Sequence, residues 1–151
     1  MSDPVKPLQV YVVEDSTIIR RLLASTVMAA GAELVGDSAD AQSAIDDLSK
    51  IRADLVLIDI ALKSGTGFDV LEALQALESK TKPIKVVLTN HANPEYEAMS
   101  YRMGANGFFD KTTQTLEVLA LINALASEKR RAPPPSTRPA TPRDPAGPGM
   151  G

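Results

Sequence analysis

The feature that most limits what this chain can fold into is a strict alternation. Short β-rich apolar runs and segments of helical period follow one another five times. Leu8 to Val13 is the first run, and Glu33 to Ser38, Asp54 to Asp59, Ile84 to Thr89 and Phe108-Phe109 are the others. Between them lie segments with apolar residues at i, i+3/i+4 spacing. In the first, Ile18, Ile19, Leu22, Leu23, Thr26 and Val27 share a face, and Gly31 is placed to stop it. The second runs from Asp40 to Lys50, the third from Phe68 to Glu78, the fourth from Pro94 to about Met103, and the fifth from Thr115 to Lys129. In the fifth, Leu116, Leu119, Ile122, Leu125 and Ala126 form the expected apolar face. The third strand is apolar on both sides, as suits a parallel sheet covered by helices on both faces. Five such units predict a doubly wound α/β fold with one open five-stranded parallel sheet.

Past Lys129 the pattern stops. Residues 131–151 are rich in Pro and Arg and have almost nothing to bury, so they read as a disordered tail. Residues 1–7 read as a short extension, leaving 8–130 as the domain. Arg130, Arg131, Arg138 and Arg143 against Asp144 put +3 on the end of a chain whose net charge is −3. The remainder is therefore acidic and poorly suited to direct DNA binding, which rests on Lys and Arg against phosphates. A solvated tail is preferred to one that grips an acidic partner. No cysteine is present, no apolar run reaches the roughly 20 residues of a membrane span, and Met1-Ser2-Asp3-Pro4 is unlike a secretory signal. A cytoplasmic protein with no membrane contact is expected.

In an open α/β sheet the ligand site lies beyond the carboxyl ends of the strands, where strand order reverses. The first strand here ends in Glu14-Asp15, the third in Asp59 and the fourth in Thr89, and Lys111 follows the fifth. Carboxylates about 4 Å apart repel by about 4 kcal/mol at an effective dielectric near 20, so a proton or a cation must intervene. Acidic oxygens without Cys or His favour Mg2+ or Mn2+. Metal, ammonium and hydroxyl together would receive a dianionic phosphoryl group, and a carboxylate can act as the nucleophile. Taken singly, each residue has a plainer reading. Asp15 would cap the first helix, Asp59 would start an Asx turn, Thr89 would be ordinary strand and Lys111 solvated surface.

The constellation resembles the receiver domain of bacterial two-component response regulators, in particular the single-domain type. The similarity spans about Leu8 to Lys129, with steps of 44, 30 and 22 residues from Asp15 to Asp59, Thr89 and Lys111. It implies the flavodoxin-like strand order 2-1-3-4-5. It also implies Asp59 as the phospho-acceptor and Mg2+ (or Mn2+) held by Asp15, Asp59 and the backbone carbonyl of Ala61, with Glu14 acting through water. Thr89 would be the switch hydroxyl, Lys111 the partner of a phosphoryl oxygen, and Phe108 the aromatic switch, or else a static core ring. Ala61, Asn90 and His91 would tune the lifetime of the phosphoryl group. The implied partners are a sensor histidine kinase or a histidine phosphotransfer protein, and an output protein reached through the surface of helix four, strand five and helix five. The chain departs from the family pattern at Thr112, where proline after a cis peptide is usual, at Lys63 and at Asn90. The Lys111 loop is therefore expected to be all trans and more mobile than is usual in the family. Two alternatives stay open: a phosphorylation-independent scaffold, and a phosphatase of the haloacid-dehalogenase type. The latter wants a second Asp where Ala61 stands.

Overall fold

The computed structural model describes residues 6–77, 82–90 and 92–131. His91, Glu78 at the expected end of the third helix, and nearly all of the Pro-rich tail lie outside the described residues.

Five strands and five helices alternate: β1 (Gln9–Val13), α1 (Thr17–Ala29), β2 (Glu33–Ser38), α2 (Ala41–Leu48), β3 (Leu55–Ile58), α3 (Gly67–Ala76), β4 (Ile84–Thr89), α4 (Pro94–Arg102), β5 (Gly107–Asp110) and α5 (Thr115–Arg131). The strands form one parallel sheet in the order β2-β1-β3-β4-β5. Burial follows from that order. All four residues of central β3 are buried, whereas edge strand β2 is mostly half-exposed.

The period of two along each strand sorts side chains onto two cores. Val10, Val12, Leu55, Leu57, Val86 and Leu88 pack beneath α1 and α5. Tyr11, Val13, Val56, Ile58, Val87 and Phe108 pack beneath α2 and α3. Side-chain caps start four of the helices. Ser16, Asp40, Thr66 and Asn93 each accept a backbone N–H three residues on, Thr66 forms a reciprocal capping box with Asp69, and Pro94 opens α4. Gly31, at φ +80°, follows the end of α1 in the left-handed conformation expected of a stop.

Several expectations shift. The row that α1 buries is Leu23 and Val27, while Ile18 is 79% and Leu22 is 55% exposed. In α5 the buried row is Val118, Ile122 and Ala126, and Leu116 is 79% exposed. Both helices carry more apolar residues than one sheet face covers. The row that docks is a single i, i+4 ridge, and Ile19, Leu22 and Leu119 beside it line a groove between α1 and α5. Asp40 caps α2 instead of lying within it.

Two contacts tie α5 down at its far end. Lys129 Nζ pairs with Asp54 Oδ2 at 3.1 Å, and Arg130 Nη1 donates to the carbonyl of Ala30 at 3.1 Å. A third long-range contact crosses the other core. The hydroxyl of Tyr11, wholly buried in β1, donates to Asp47 Oδ2 on α2 at 2.6 Å. Burial, reinforced by that bond, holds its phenol well above the ordinary tyrosine range. Tyr11→Phe removes a hydrogen bond to a charged group while Asp47 keeps access to water, so a loss of about 1–2 kcal/mol is expected in urea unfolding.

Candidate functional site

The order of the strands reverses between β1 and β3, and the acidic strand ends meet there. Backbone pairing runs one residue past each strand: Glu14 N–H donates to Ser38 O and Asp59 N–H to Val13 O, both at 2.9 Å. Glu14 and Asp59 are thereby fixed side by side, and both are buried, at 1% and 5% exposure. Asp15 is exposed. One carboxylate oxygen from each of the three lies within 4.8 Å of the others.

Lys111 comes from the loop after β5. Its Nζ lies 2.6 Å from Glu14 Oε1 and 2.8 Å from Asp59 Oδ2. Burial pulls its ammonium pKa down, but the bonds to Asp59 and Glu14 outweigh this and leave it above the ordinary lysine value. For Glu14 the balance falls the other way. Burial raises its carboxyl pKa, and the bonds from Lys111 and the Ser16 amide only partly oppose it. Three carboxylates and one ammonium leave an excess of negative charge in a small space, and a hard dication would offset it. The donor set, all oxygen with Asp15 open to solvent, suits that ion.

These groups line a cavity of about 280 Å3, together with Ala61 and Asn90. Thr89 is fully buried at the end of β4, and its carbonyl accepts the Lys111 N–H at 3.0 Å. Phe108 is 9% exposed and packs in the core beneath α2 and α3. The structure therefore brings Glu14, Asp15, Asp59, Ala61, Asn90 and Lys111 to one cavity, with Thr89 against the Lys111 backbone and Phe108 in the core outside its lining. The plainer readings fare unevenly. Ser16, not Asp15, caps α1. Asp59 does make the Asx-type contact, its Oδ1 accepting from Ala61 N–H at 3.3 Å. No peptide bond among the described residues is cis, as Thr112 led us to expect.

Some participants were not singled out from the sequence. Arg20 Nη1 donates to the Glu14 carbonyl at 2.7 Å, and its Nε lies 3.5 Å from Asp37, which ties α1 to the ends of β1 and β2. Gly67 lies directly against the Asp59 backbone. The third helix, expected from Phe68, starts one residue earlier at Gly67, and only the fold shows what that glycine touches.

The chain is similar to known proteins. The profile of the response regulator receiver domain matches residues 10–123. The chain is 29% identical over 142 residues to a protein-glutamate methylesterase/protein-glutamine glutaminase of Myxococcus xanthus, covering 86% of this chain and 40% of that protein. It is 23% identical to chemotaxis protein CheY of Thermotoga maritima, covering 78% and 97%. Among solved structures, the Mn(2+)-bound form of response regulator Rcp1 superimposes with a TM-score of 0.68 at 23% identity, covering 89% of this chain and all of that one. The chain spans about half the length of most curated relatives it matches.

Proposed function

The chain belongs to the response regulator receiver domain family, and from that premise we propose that it accepts a phosphoryl group on Asp59 and passes the change to a protein partner. Proteins of this family signal in two-component systems through phosphorylation. The observation that most supports Asp59 is the seat of Lys111, whose ammonium bridges Asp59 and Glu14 beside an exposed Asp15.

In the proposed reaction an Asp59 carboxylate oxygen attacks the phosphorus of a phosphohistidine on a histidine kinase or phosphotransfer protein. A P–O bond forms, the P–N bond breaks, and the imidazole leaves with the electron pair. Lys111 exchanges a carboxylate for a phosphoryl oxygen, so its charge follows the incoming group. Mg2+ or Mn2+, held by Asp15, Asp59 and the Ala61 carbonyl with Glu14 through water, would neutralise the phosphoryl oxygens. Thr89 then turns its hydroxyl to the phosphoryl group, and Phe108 follows into the space released. The α4–β5–α5 surface shifts toward its partner-binding form because the phosphoryl group makes stronger contacts in that form. Ala61 offers no side chain to direct hydrolytic water, and Asn90 and His91 set access and lifetime. The reading entails a cytoplasmic protein. No helix among the described residues is long and apolar enough to cross a membrane.

A phosphohistidine donor must reach this cavity, and the exposed apolar residues beside it suit docking. Ile19 and Lys111 line both the acidic cavity and the groove between α1 and α5, where Leu22 is prominent. Leu22→Glu is expected to slow transfer from a phosphohistidine donor at least tenfold while transfer from acetyl phosphate is unchanged, since one lost anchor of about 1.4 kcal/mol accounts for that factor.

Intact mass after incubation with acetyl phosphate and Mg2+ tests the central reading. One phosphoryl adduct per chain is expected, and none with EDTA. Rapid turnover of many phosphate esters without an adduct would point instead to a phosphatase. No adduct and no turnover would leave only the scaffold.

A further inference from the structure

Lysine is a poor residue for holding a charge at one point, because its four-carbon stem carries about 2 kcal/mol of rotamer entropy. Here the ammonium nevertheless meets two carboxylates at 2.6 and 2.8 Å. The stem can deliver it there only if the backbone of residue 111 is fixed. That backbone lies in a four-residue connection, 111–114, between β5 and α5.

A set of polar bonds holds this connection, and none of them uses a side chain of the acidic cavity. Asp110 Oδ1 accepts from Thr112 N–H at 2.8 Å and from the Thr112 hydroxyl at 2.6 Å, closing an Asx turn around Lys111. Gln114 grips the same residue from the other side. Its side-chain oxygen accepts the Asp110 N–H at 2.8 Å, and its own N–H donates to the Asp110 carbonyl at 2.9 Å. Thr115 Oγ1 donates to the Lys111 carbonyl at 2.9 Å, while the Lys111 N–H is taken by Thr89. Both peptide groups of Lys111 are thus satisfied, and the turn that spans it is closed by side chains two and four residues apart. The Asp110 carboxyl lies below its ordinary pKa because it accepts both Thr112 bonds, so its charged form belongs to the turn.

We propose that Asp110, Thr112 and Gln114 are positioning residues that hold Lys111 in place for phosphoryl transfer. The catalytic part of this rests on the function proposed above. The positional part does not. Thr112 makes both of its bonds to Asp110 and touches neither Asp59 nor Glu14 through any hydrogen bond among the described residues.

The test uses the whole chain with Thr112→Ala, Asp110→Ala and the conservative Thr112→Ser. The first readout is the 15N-detected ammonium resonance of Lys111, which its two carboxylates protect from exchange. It should persist in the wild type and Thr112→Ser and broaden away in the two alanine variants, with the amide spectrum of the sheet intact. The second readout is the phosphorylation rate from acetyl phosphate. Both alanine variants should fall about tenfold in maximal rate with Mg2+ affinity unchanged. In a Lys111→Ala background, Thr112→Ala should cause no further fall. An unchanged ammonium resonance in both alanine variants overturns the proposal, and so does an equal fall with and without Lys111. If the wild type takes no phosphoryl group while the ammonium signal is lost as expected, the functional reading fails and the positioning stands.

Discussion

Asp59→Asn is expected to carry no phosphoryl group after incubation with acetyl phosphate and Mg2+, under conditions where the wild type acquires one. The substitution keeps the shape of the side chain, its place at the end of β3 and an acceptor for the Ala61 N–H. It removes the anionic oxygen, and a neutral amide oxygen is a far weaker nucleophile than a carboxylate. It also removes one of two partners from Lys111, which keeps Glu14 at 2.6 Å. The fold should therefore survive, with circular dichroism unchanged. Divalent-ion affinity should fall at least tenfold, because one of three clustered carboxylates is lost. A phosphoryl adduct of equal yield in the mutant would place the acceptor elsewhere.

Gly67→Ala should have the second large effect. Gly67 is the first residue of α3 and sits against the backbone that carries the proposed acceptor. A Cβ there would overlap the Asp59 carbonyl oxygen and approach Ile58 Cγ2 to 3.0 Å. The obstacle is backbone, so a rotamer change cannot relieve it. Either α3 moves away from the sheet or Asp59 moves away from Glu14. Overpacking of this kind costs about 1–3 kcal/mol, which urea unfolding would show. A shift of Asp59 would separately lower the phosphorylation rate, so an alanine variant with full stability and full rate would contradict the packing described.

The fold was legible because five apolar runs of strand length could satisfy their backbone only in one parallel sheet. Burial along β1 and β3 then fixed which strands lie inside. The acid trio and Lys111 were legible for the same reason: the ends of strands project to one side of such a sheet. Helix orientation was harder to read. Ile18, Leu22 and Leu116 fit the helical period as well as Leu23 and Ile122 do, yet period alone does not choose which of two adjacent ridges meets the sheet. The roles of Arg20, Gly67 and the Asp110–Thr112 turn were hidden too. Each depends on a neighbour supplied by another element or on a local backbone turn, and neither leaves a pattern in the sequence.

The last turn of α5 has a practical consequence. Its bonds to Asp54 and Ala30 hold Arg131 near the amino-terminal edge of the sheet, whereas Asp59 lies at the carboxyl edge. Five residue steps of extended chain along β3 separate Asp54 from Asp59, about 16 Å. A fluorophore or surface tether attached at position 131 itself would therefore sit away from the acidic cavity and the α1–α5 groove. The protein can be immobilised by that end for binding measurements with its proposed chemistry facing solution.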